Sequence, residues 1–226
     1  MYSDKNMAWF VCLAIVIILL YVLREPRSMI TATDGMSYEV LGKYPNRQAA
    51  ANLLARVNGD IINFMRHLKT KYHIDETDDV ISAEGSLHYI NADLHAMVDN
   101  ALDNYNPEVI YENDPTNMAG ETSYTVNKGR AMYVCLRSRT SPLSLVDYNT
   151  LMFVLLHEIS HIANYNGWGH QTLYWTRFKF ILHEAVLYGI YTSVDYERHP
   201  IVYCGLTINY NPLLDDTLPN LWETLP

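Results

Sequence analysis

The chain opens with an uncharged apolar run at residues 7–23. The run is at the short end of the length that a helix needs to span a bilayer, and Trp9 and Tyr21 lie near its ends, where aromatic side chains favour the membrane interface. No small-residue cleavage site of the signal-peptide type follows it. We therefore expect a transmembrane anchor behind a short tail at 1–6, in preference to a cleaved signal peptide or a buried core helix.

The residues that flank this run predict how the protein is oriented and connected. Arg24 and Arg27 outnumber the lone Lys5 on the other side, so the positive-inside rule favours a single-pass membrane protein whose C-terminal domain faces the cytosol. Residues 24–45 contain Pro and Gly breakers and predict an extended connector.

Helical periodicity begins at Asn46 and characterises the first part of the expected domain, residues 46–106. Apolar residues recur there at steps of three and four, as a helix with one buried face requires. These residues are Ala50, Leu53, Leu54, Val57, Ile61, Met65, Leu68 and Tyr72. A second helix is expected over residues 91–105, because Pro107 cannot continue it.

Strand periodicity follows in the second part of the domain, residues 107–226. The segments TSYTV at 122–126 and RAMYVCLR at 130–137 are rich in Thr, Tyr and Val, and NKG at 127–129 lies between them. A Gly at that point can take the positive φ of a tight turn. The pattern therefore predicts a β-hairpin.

Two helices are expected after the hairpin. One begins near Asp147, after a loop that contains Pro142, and a longer one covers residues 171–191. The order of the elements predicts an α+β fold in which a small sheet lies beside the helix from Asp147.

Composition restricts the classes of function. With 226 residues of which 49% are hydrophobic, the chain can form one compact domain with an ancillary segment. A net charge of −9 opposes binding of nucleic acid, which needs clustered Lys and Arg. Cys12, Cys135 and Cys204 are too far apart for a zinc ribbon and too few for a disulfide framework, which favours a reducing compartment.

The helix from Asp147 carries the sequence HEISH at 157–161. His157 and His161 are four residues apart, so a helix places both imidazoles on one face, where they can bind one tetrahedral zinc ion. Zinc lowers the pKa of a bound water to about 7, and Glu158 is placed to take the proton and pass it to a leaving amine. We interpret the segment as a catalytic zinc site in preference to a group of core histidines.

A catalytic zinc site needs a third protein ligand, for which the chain offers two candidates. His170 follows a turn at 164–169 that holds two Gly and two Asn and can return the chain to the metal. Glu184 lies roughly 20 Å farther along one uninterrupted helix, so one ion cannot bind both residues. We expect His170 to be the ligand and Glu184 to orient another polar group or face solvent.

The segment HEISH followed by GWGHQTLYW resembles the WLM and SprT-like zinc metalloproteases. In those families His-Glu-x-x-His precedes a short turn, a Gly-His pair and an aromatic residue, which Gly169, His170, Tyr174 and Trp175 match. The resemblance implies a zincin-like fold with one Zn²⁺. The turn is longer here, and the basic tails that direct those proteases to DNA-bound substrates are absent. The chain also resembles membrane-anchored proteins of large DNA viruses in the segments TSYTVNKG, YVCLR, LMFVLLHEISHIA and DYERHPIVYCG. That resemblance implies that the membrane is that of a virion or an internal membrane of a host.

Two functions are compatible with these features. The favoured one is a membrane-anchored zinc metallopeptidase that acts on a protein or peptide substrate. The substrate would add as a strand to a sheet edge, for which residues 131–137 are the candidate, with Tyr133, Val134 and Cys135 at its centre. Tyr203 or Tyr210 could reach the site. The alternative is a structural virion protein whose zincin fold is braced by zinc and catalytically silent.

Overall fold

A computed structural model describes residues 9–16, 26–72, 85–116, 122–141, 143–164, 167 and 169–224, with the backbone alone over residues 85–93 and 223–224. The helices are α1 (residues 9–16), α2 (Arg47–Lys71), α3 (Gly85–Asn104), α4 (Tyr148–Ala163) and α5 (Thr172–Tyr188). The strands are β1 (Arg27–Thr31), β2 (Ser37–Leu41), β3 (Ile110–Asn113), β4 (Tyr124–Val126), β5 (Ala131–Cys135), β6 (Ile201–Tyr203) and β7 (Leu206–Ile208). Short 3₁₀ turns follow at Pro212–Leu214 and Leu221–Thr224.

The fold is α+β, with a mixed five-stranded sheet in the order β1-β2-β3-β5-β4. Strands β2, β3 and β5 are parallel, whereas β1 pairs with β2 and β4 with β5 in antiparallel fashion. The predicted hairpin is therefore confirmed as β4–β5. Strands β6 and β7 form a separate antiparallel pair.

Local sequence signals explain where the two helices nearest the hairpin begin and end. Asp147 caps the start of α4, because its carboxylate accepts a 2.9 Å hydrogen bond from the backbone N–H of Thr150. Helix α5 ends at Gly189, which has φ +90°, a conformation that glycine adopts without steric cost. The predicted starts of both helices are confirmed to within one residue.

The predicted transmembrane helix needs correction. No helix among the described residues is long and apolar enough to cross a membrane. Of the apolar run at 7–23, residues 9–16 are described, as the helix α1, and the remainder lies outside the described residues.

The predicted connector and the predicted sheet edge are also corrected. Residues 27–41, expected to be an extended linker, form β1 and β2 and pair with the rest of the sheet. Strand β5, expected to be the edge that binds substrate through Tyr133, Val134 and Cys135, lies between β3 and β4. The outer strand at this end of the described sheet is β4. A single sequence shows which strands form, but their lateral order depends on pairings between distant segments.

One hydrophobic core joins the part of the domain predicted as helical to the part predicted as catalytic. Leu54, Ile61 and Phe64 of α2 belong to the same buried cluster as Ile159 and Ile162 of α4. The boundary between 46–106 and 107–226 therefore marks a change in sequence pattern within one packed unit.

A disulfide joins Cys135, at the end of β5, to Cys204, in the β6–β7 turn. It corrects the expectation, drawn from the number and spacing of the cysteines, that these thiols are unpaired. The two cysteines are 69 residues apart in sequence, so only the folded chain brings them together. The bond attaches the β6–β7 pair to the main sheet.

A buried ion pair connects β3, β2 and the segment that follows β5. Arg137 and Glu112 both have fully buried side chains, and Nε of Arg137 donates to Oε1 of Glu112 at 2.5 Å. Oε2 of Glu112 accepts from the backbone N–H of Leu41 in β2 at 2.7 Å. Arg137 also donates to the side chain of Asn46, just before α2, and its guanidinium lies 4.3 Å from the ring centre of Tyr44.

We predict that Arg137→Met lowers the free energy of unfolding by about 3–5 kcal/mol, because it leaves the Glu112 carboxylate buried without its counter-charge. Urea unfolding measures the loss. The double variant Glu112→Leu/Arg137→Met should lose less than Arg137→Met alone. As a matched control, Arg198→Ala removes an arginine whose side chain is 83% exposed and should change stability by less than about 0.5 kcal/mol. An equal loss of stability in Arg137→Met and Arg198→Ala would contradict the prediction.

Candidate metal centre

Helix α4 presents His157 and His161 on one face. Most of the helix is buried in the core, whereas the two histidines are half-buried. The residues between them that face inward, Ile159 and Ser160, are buried, and the hydroxyl of Ser160 donates to the Leu156 carbonyl at 2.7 Å. The surrounding core therefore holds the helix face that carries the two imidazoles.

His170 completes a triangle of ring nitrogens. Its Nε2 lies 3.2 Å from Nε2 of His157 and 3.1 Å from Nε2 of His161, and the latter two are 3.2 Å apart. Three nitrogens that bind one zinc tetrahedrally at about 2.0–2.1 Å are about 3.3–3.4 Å from one another. The three ligand atoms therefore fit a single zinc ion. The choice of His170 as the partner of His157 and His161 is supported by this geometry.

The turn between α4 and α5 carries His170 back to the helix. The N–H of Gly167 donates to the Asn164 carbonyl at 2.9 Å, and Gly169 has φ +67°. A Cβ atom on Gly167 would come within 2.2 Å of the Asn164 side chain, so a larger residue here would have to displace that side chain. Arg177 of α5 donates to Oδ1 of Asn164 at 2.5 Å and holds the same side chain from the other side.

Lys128, in the β4–β5 turn, binds the end of α4. Its ammonium group donates to the carbonyl oxygens of Asn164 at 3.1 Å and Gly167 at 2.5 Å, with His161 O at 3.5 Å. The last carbonyls of a helix lack partners within the helix, and a cation at that end also interacts favourably with the helix dipole. Lys128 thus connects the hairpin, the helix and the turn that carries His170. Sequence analysis missed this role.

Aromatic side chains surround the three imidazoles. The ring of Tyr174 stacks on that of His161 with centroids 4.4 Å apart, and its hydroxyl donates to the His157 carbonyl at 3.1 Å. The ring of Trp175 stacks on that of His170 at 5.2 Å. The two aromatic residues that match the family pattern therefore pack against the candidate ligands.

Burial keeps the histidines neutral. It lowers the pKa of His157 to about 3 and that of His161 to about 4. Smaller contributions come from the neighbouring imidazoles when protonated and, for His161, from the ammonium group of Lys128. Burial lowers the pKa of His170 as well. Neutral imidazole is the form that binds a metal, so the site is ready to bind at neutral pH.

Glu158 is buried beside the histidines. Burial raises the pKa of its carboxyl to about 8, although a hydrogen bond from Thr125 acts in the opposite direction. The hydroxyl of Thr125, in β4, lies 3.4 Å from Oε2 of Glu158. A divalent cation at the histidines would favour the carboxylate form, because an opposite charge nearby lowers the pKa of an acid.

Glu184, the alternative third ligand, has a different role in the fold. It is buried, and Nζ of Lys71 at the end of α2 donates to its Oε2 at 2.6 Å. The carboxylate also raises the pKa of Tyr72, after the larger effect of burial. Glu184 thus joins α5 to the end of α2 and does not belong to the group of candidate ligands among the described residues.

Two adjoining cavities open at the site. The first, of about 430 Å³, is lined by the residues 123–125, Asn127 and Lys128 of the hairpin together with the three histidines and Glu158. The second, of about 300 Å³, extends from His157 and Glu158 towards the β6–β7 pair. Strand β4 therefore forms one side of a cleft over the histidines.

Tyr203 and Tyr210 both lie close to the second cavity, but their hydroxyl groups are bound elsewhere. The Tyr203 hydroxyl donates to the carbonyl of Cys135 at 2.7 Å and lies 2.6 Å from the Ser123 hydroxyl. The Tyr210 hydroxyl donates to Asp215 at 2.6 Å. Both hydroxyl groups are therefore engaged in hydrogen bonds outside the group of histidines.

The comparisons with known proteins find viral relatives. The chain is 39% identical to an uncharacterized protein of Acanthamoeba polyphaga mimivirus over 100 residues, which are 44% of this chain and 49% of that protein. Uncharacterized proteins of Invertebrate iridescent virus 6 and Invertebrate iridescent virus 3 are 35% and 36% identical over 88 residues, 38% of this chain and 46% and 51% of those proteins. No family model and no solved structure matches.

These similarities indicate a viral protein. The chain spans about half the length of the curated relatives it matches. The names of these relatives state no activity, so the resemblance to zinc metalloproteases stays a prediction that rests on the residues of this chain.

We predict that Lys128→Met weakens zinc binding by about tenfold or more, because the end of α4 and the turn before His170 lose their shared donor. Supporting groups of this kind typically contribute 10–100-fold to metal affinity. Titration against a competing zinc indicator measures the change. The control is Arg130→Met, which removes an exposed cation from the same turn and should leave the affinity unchanged. Equal effects of both variants would refute the role of Lys128.

We also predict that Glu158→Gln stabilises the metal-free protein, and more so at pH 8 than at pH 5. The pKa of Glu158 rises from 4.5 to about 8 on folding, so the wild type loses stability as pH rises through this window. Glutamine removes that loss. Urea unfolding in the presence of a chelator at both pH values tests it, with the exposed Glu197→Gln as the control. A gain that does not depend on pH would contradict the prediction.

Proposed function

We propose that this viral protein is a zinc-dependent peptidase whose centre consists of His157, His161, His170 and Glu158. The proposal rests on one observation: three imidazole nitrogens lie 3.1–3.2 Å apart with a buried carboxyl from the same helix beside them. A site that only braces a fold needs ligands and gains nothing from burying an acid next to them. Burying an ionisable group is costly, and such groups concentrate at functional sites.

The three histidines would hold the metal through Nε2. When bound, zinc activates water for attack and polarises the carbonyl that is attacked. The histidines are neutral at physiological pH and need lose no proton to bind. Tyr174 and Trp175 stack on the imidazoles of His161 and His170 and thereby fix the planes of these rings.

Glu158 would act as the general base and then as the general acid. Its Oε2 lies beside Thr125 at the floor of the cleft. It takes a proton from the attacking water and delivers the proton to the nitrogen of the departing amine. Because burial raises its pKa, the carboxyl can hold that proton between the two steps.

The substrate would lie along β4. This strand is the outer one at its end of the described sheet and borders the cleft at residues 123–125. An extended peptide that adds to a sheet edge is positioned by its own backbone, so the side chains on one side point into the cleft. The edge strand is thus β4, and β5, which the sequence predicted as the edge, is its neighbour.

Metal content tests the ligands. The full chain should bind one zinc ion by elemental analysis. His157→Ala and His170→Ala should lower the affinity by orders of magnitude, because each removes a ligand. Glu158→Gln should keep the metal. Glu184→Gln is the control. It should disturb the ion pair with Lys71 and lower the stability of the fold, but it should leave the zinc affinity unchanged. Loss of zinc from Glu184→Gln with retention by His170→Ala would overturn the assignment.

Cleavage tests the activity. We expect the zinc-loaded wild type to cut casein or members of a peptide library, and Glu158→Gln to lose this activity by about a thousandfold or more while its zinc content and fold are unchanged. Zinc bound without cleavage of any substrate would favour the alternative function, a structural viral protein with a zinc-braced fold.

A further inference from the structure

The buried carboxyl of Glu158 is held by a single neighbouring residue. The Glu158 side chain is 6% exposed, but it has several rotatable torsions, so burial alone does not fix the direction of its two oxygen atoms. The hydroxyl of Thr125 in β4 donates to Oε2 at 3.4 Å, and the backbone N–H of Thr125 also donates to the carboxyl. Among the described residues, Thr125 is the only hydrogen-bond partner of this carboxyl. Both donors come from one residue, 33 positions away in sequence.

The pleat of β4 directs the Thr125 side chain towards Glu158. Tyr124 is paired with Tyr133 of β5, and their rings stack with centroids 5.0 Å apart on one face of the sheet. Successive side chains of a strand point to opposite faces, so Ser123 and Thr125 lie on the other side of the strand from Tyr124. Ser123 and Thr125 also line the cleft that contains the histidines.

The beginning of β4 is fixed by a closed set of bonds. The Ser123 hydroxyl accepts from the backbone N–H of Cys135 at 2.9 Å and lies 2.6 Å from the Tyr203 hydroxyl, which in turn donates to the Cys135 carbonyl at 2.7 Å. Cys135 is also joined by its disulfide to Cys204, the neighbour of Tyr203. These bonds attach the residue two positions before Thr125 both to β5 and to the β6–β7 pair. Thr125 is therefore carried by a strand that is held from two sides.

The bond to Oε2 determines which oxygen of Glu158 is available for proton transfer. A carboxylate has two oxygen atoms that can accept a hydrogen or a proton. With Oε2 engaged by the Thr125 hydroxyl, Oε1 is left to take the proton of the attacking water and to deliver it to the nitrogen of the departing amine. A displacement of about 1 Å in a reacting group can cost about a hundredfold in rate. One anchoring residue can therefore control turnover.

We propose that Thr125 is a positioning residue of the peptidase, which holds Oε2 of Glu158 so that Oε1 is the oxygen that exchanges the proton. The inference rests on the proposed peptidase function. The Thr125 hydroxyl acts on the reaction only through Glu158. Strand β4 would then have two roles, since the strand that borders the cleft and pairs with a peptide also orients the base.

Steady-state cleavage by the full zinc-loaded chain tests this role, with the peptide that the wild type cuts best. Thr125→Val keeps the shape of the side chain but removes the donor. It should lower kcat by about tenfold to a hundredfold and change KM by less than about twofold, because the hydroxyl acts on the reacting base and not on substrate binding. Thr125→Ser restores the hydroxyl and should recover most of the rate. As the control, Thr31→Val makes the same change at an exposed position of β1, the opposite edge of the sheet, and should leave both constants unchanged.

Urea unfolding of the metal-free protein tests the contact without turnover. The free energy of unfolding is compared for Thr125→Val, Glu158→Leu and the double variant. Residues in contact have non-additive effects on stability, so Thr125→Val should cost less stability in the Glu158→Leu background than in the wild type. Thr31→Val should cost the same in both backgrounds. Circular dichroism verifies that each variant folds.

The possible outcomes separate the positioning role from the peptidase itself. Cleavage that needs Glu158 but is unaffected by Thr125→Val overturns the positioning role and leaves the peptidase intact. The same conclusion follows from a loss of rate that Thr125→Ser does not recover, from a change confined to KM, or from additive effects on unfolding. Absence of any cleavage by the wild type overturns the peptidase and the positioning role with it.

Discussion

The geometry of the candidate site depends on how the chain satisfies the end of helix α4. The carbonyl groups there have no partners within the helix, and the ammonium group of Lys128 binds those of Asn164 and Gly167. Three consecutive residues with positive φ, Asn127 to Gly129, place Lys128 in that position. A Cβ on Gly129 would come within 2.2 Å of the Asn104 carbonyl, so the turn also packs against the end of α3. One cation thus sets the distance between the hairpin, the helix and the turn that carries His170.

Helix α4 has two roles that make opposite demands. As a core helix it buries Leu155, Leu156 and Ile159, and as the site helix it must expose two imidazoles and hold a carboxyl close to them. Because side chains three and four residues apart share one face of an α-helix, the apolar core residues and the histidines lie on different faces of α4. The same burial that stabilises the domain lowers the pKa of His157 and raises that of Glu158. The proposed chemistry therefore uses the cost of placing polar groups at the edge of the core.

The disulfide extends the site beyond the segment that carries the histidines. It attaches the β6–β7 pair to β5, and through that pair it closes the cavity beside Glu158. Residues distant in sequence from the histidine segment thus line the same depression as His157 and Glu158.

The sequence by itself determined the features that depend on local spacing. The i, i+4 separation of His157 and His161, the Asp147 cap and the glycine turn before His170 act within one or two helical turns, so their geometry follows from the chain alone. Only the tertiary structure decided the lateral order of the strands, which put β4 and not β5 at the edge, and the pairing of Cys135 with Cys204. It also decided the contacts of Lys128, Thr125 and Glu184. These features join residues that are far apart in sequence, and such contacts depend on how the whole core packs and not on any local pattern.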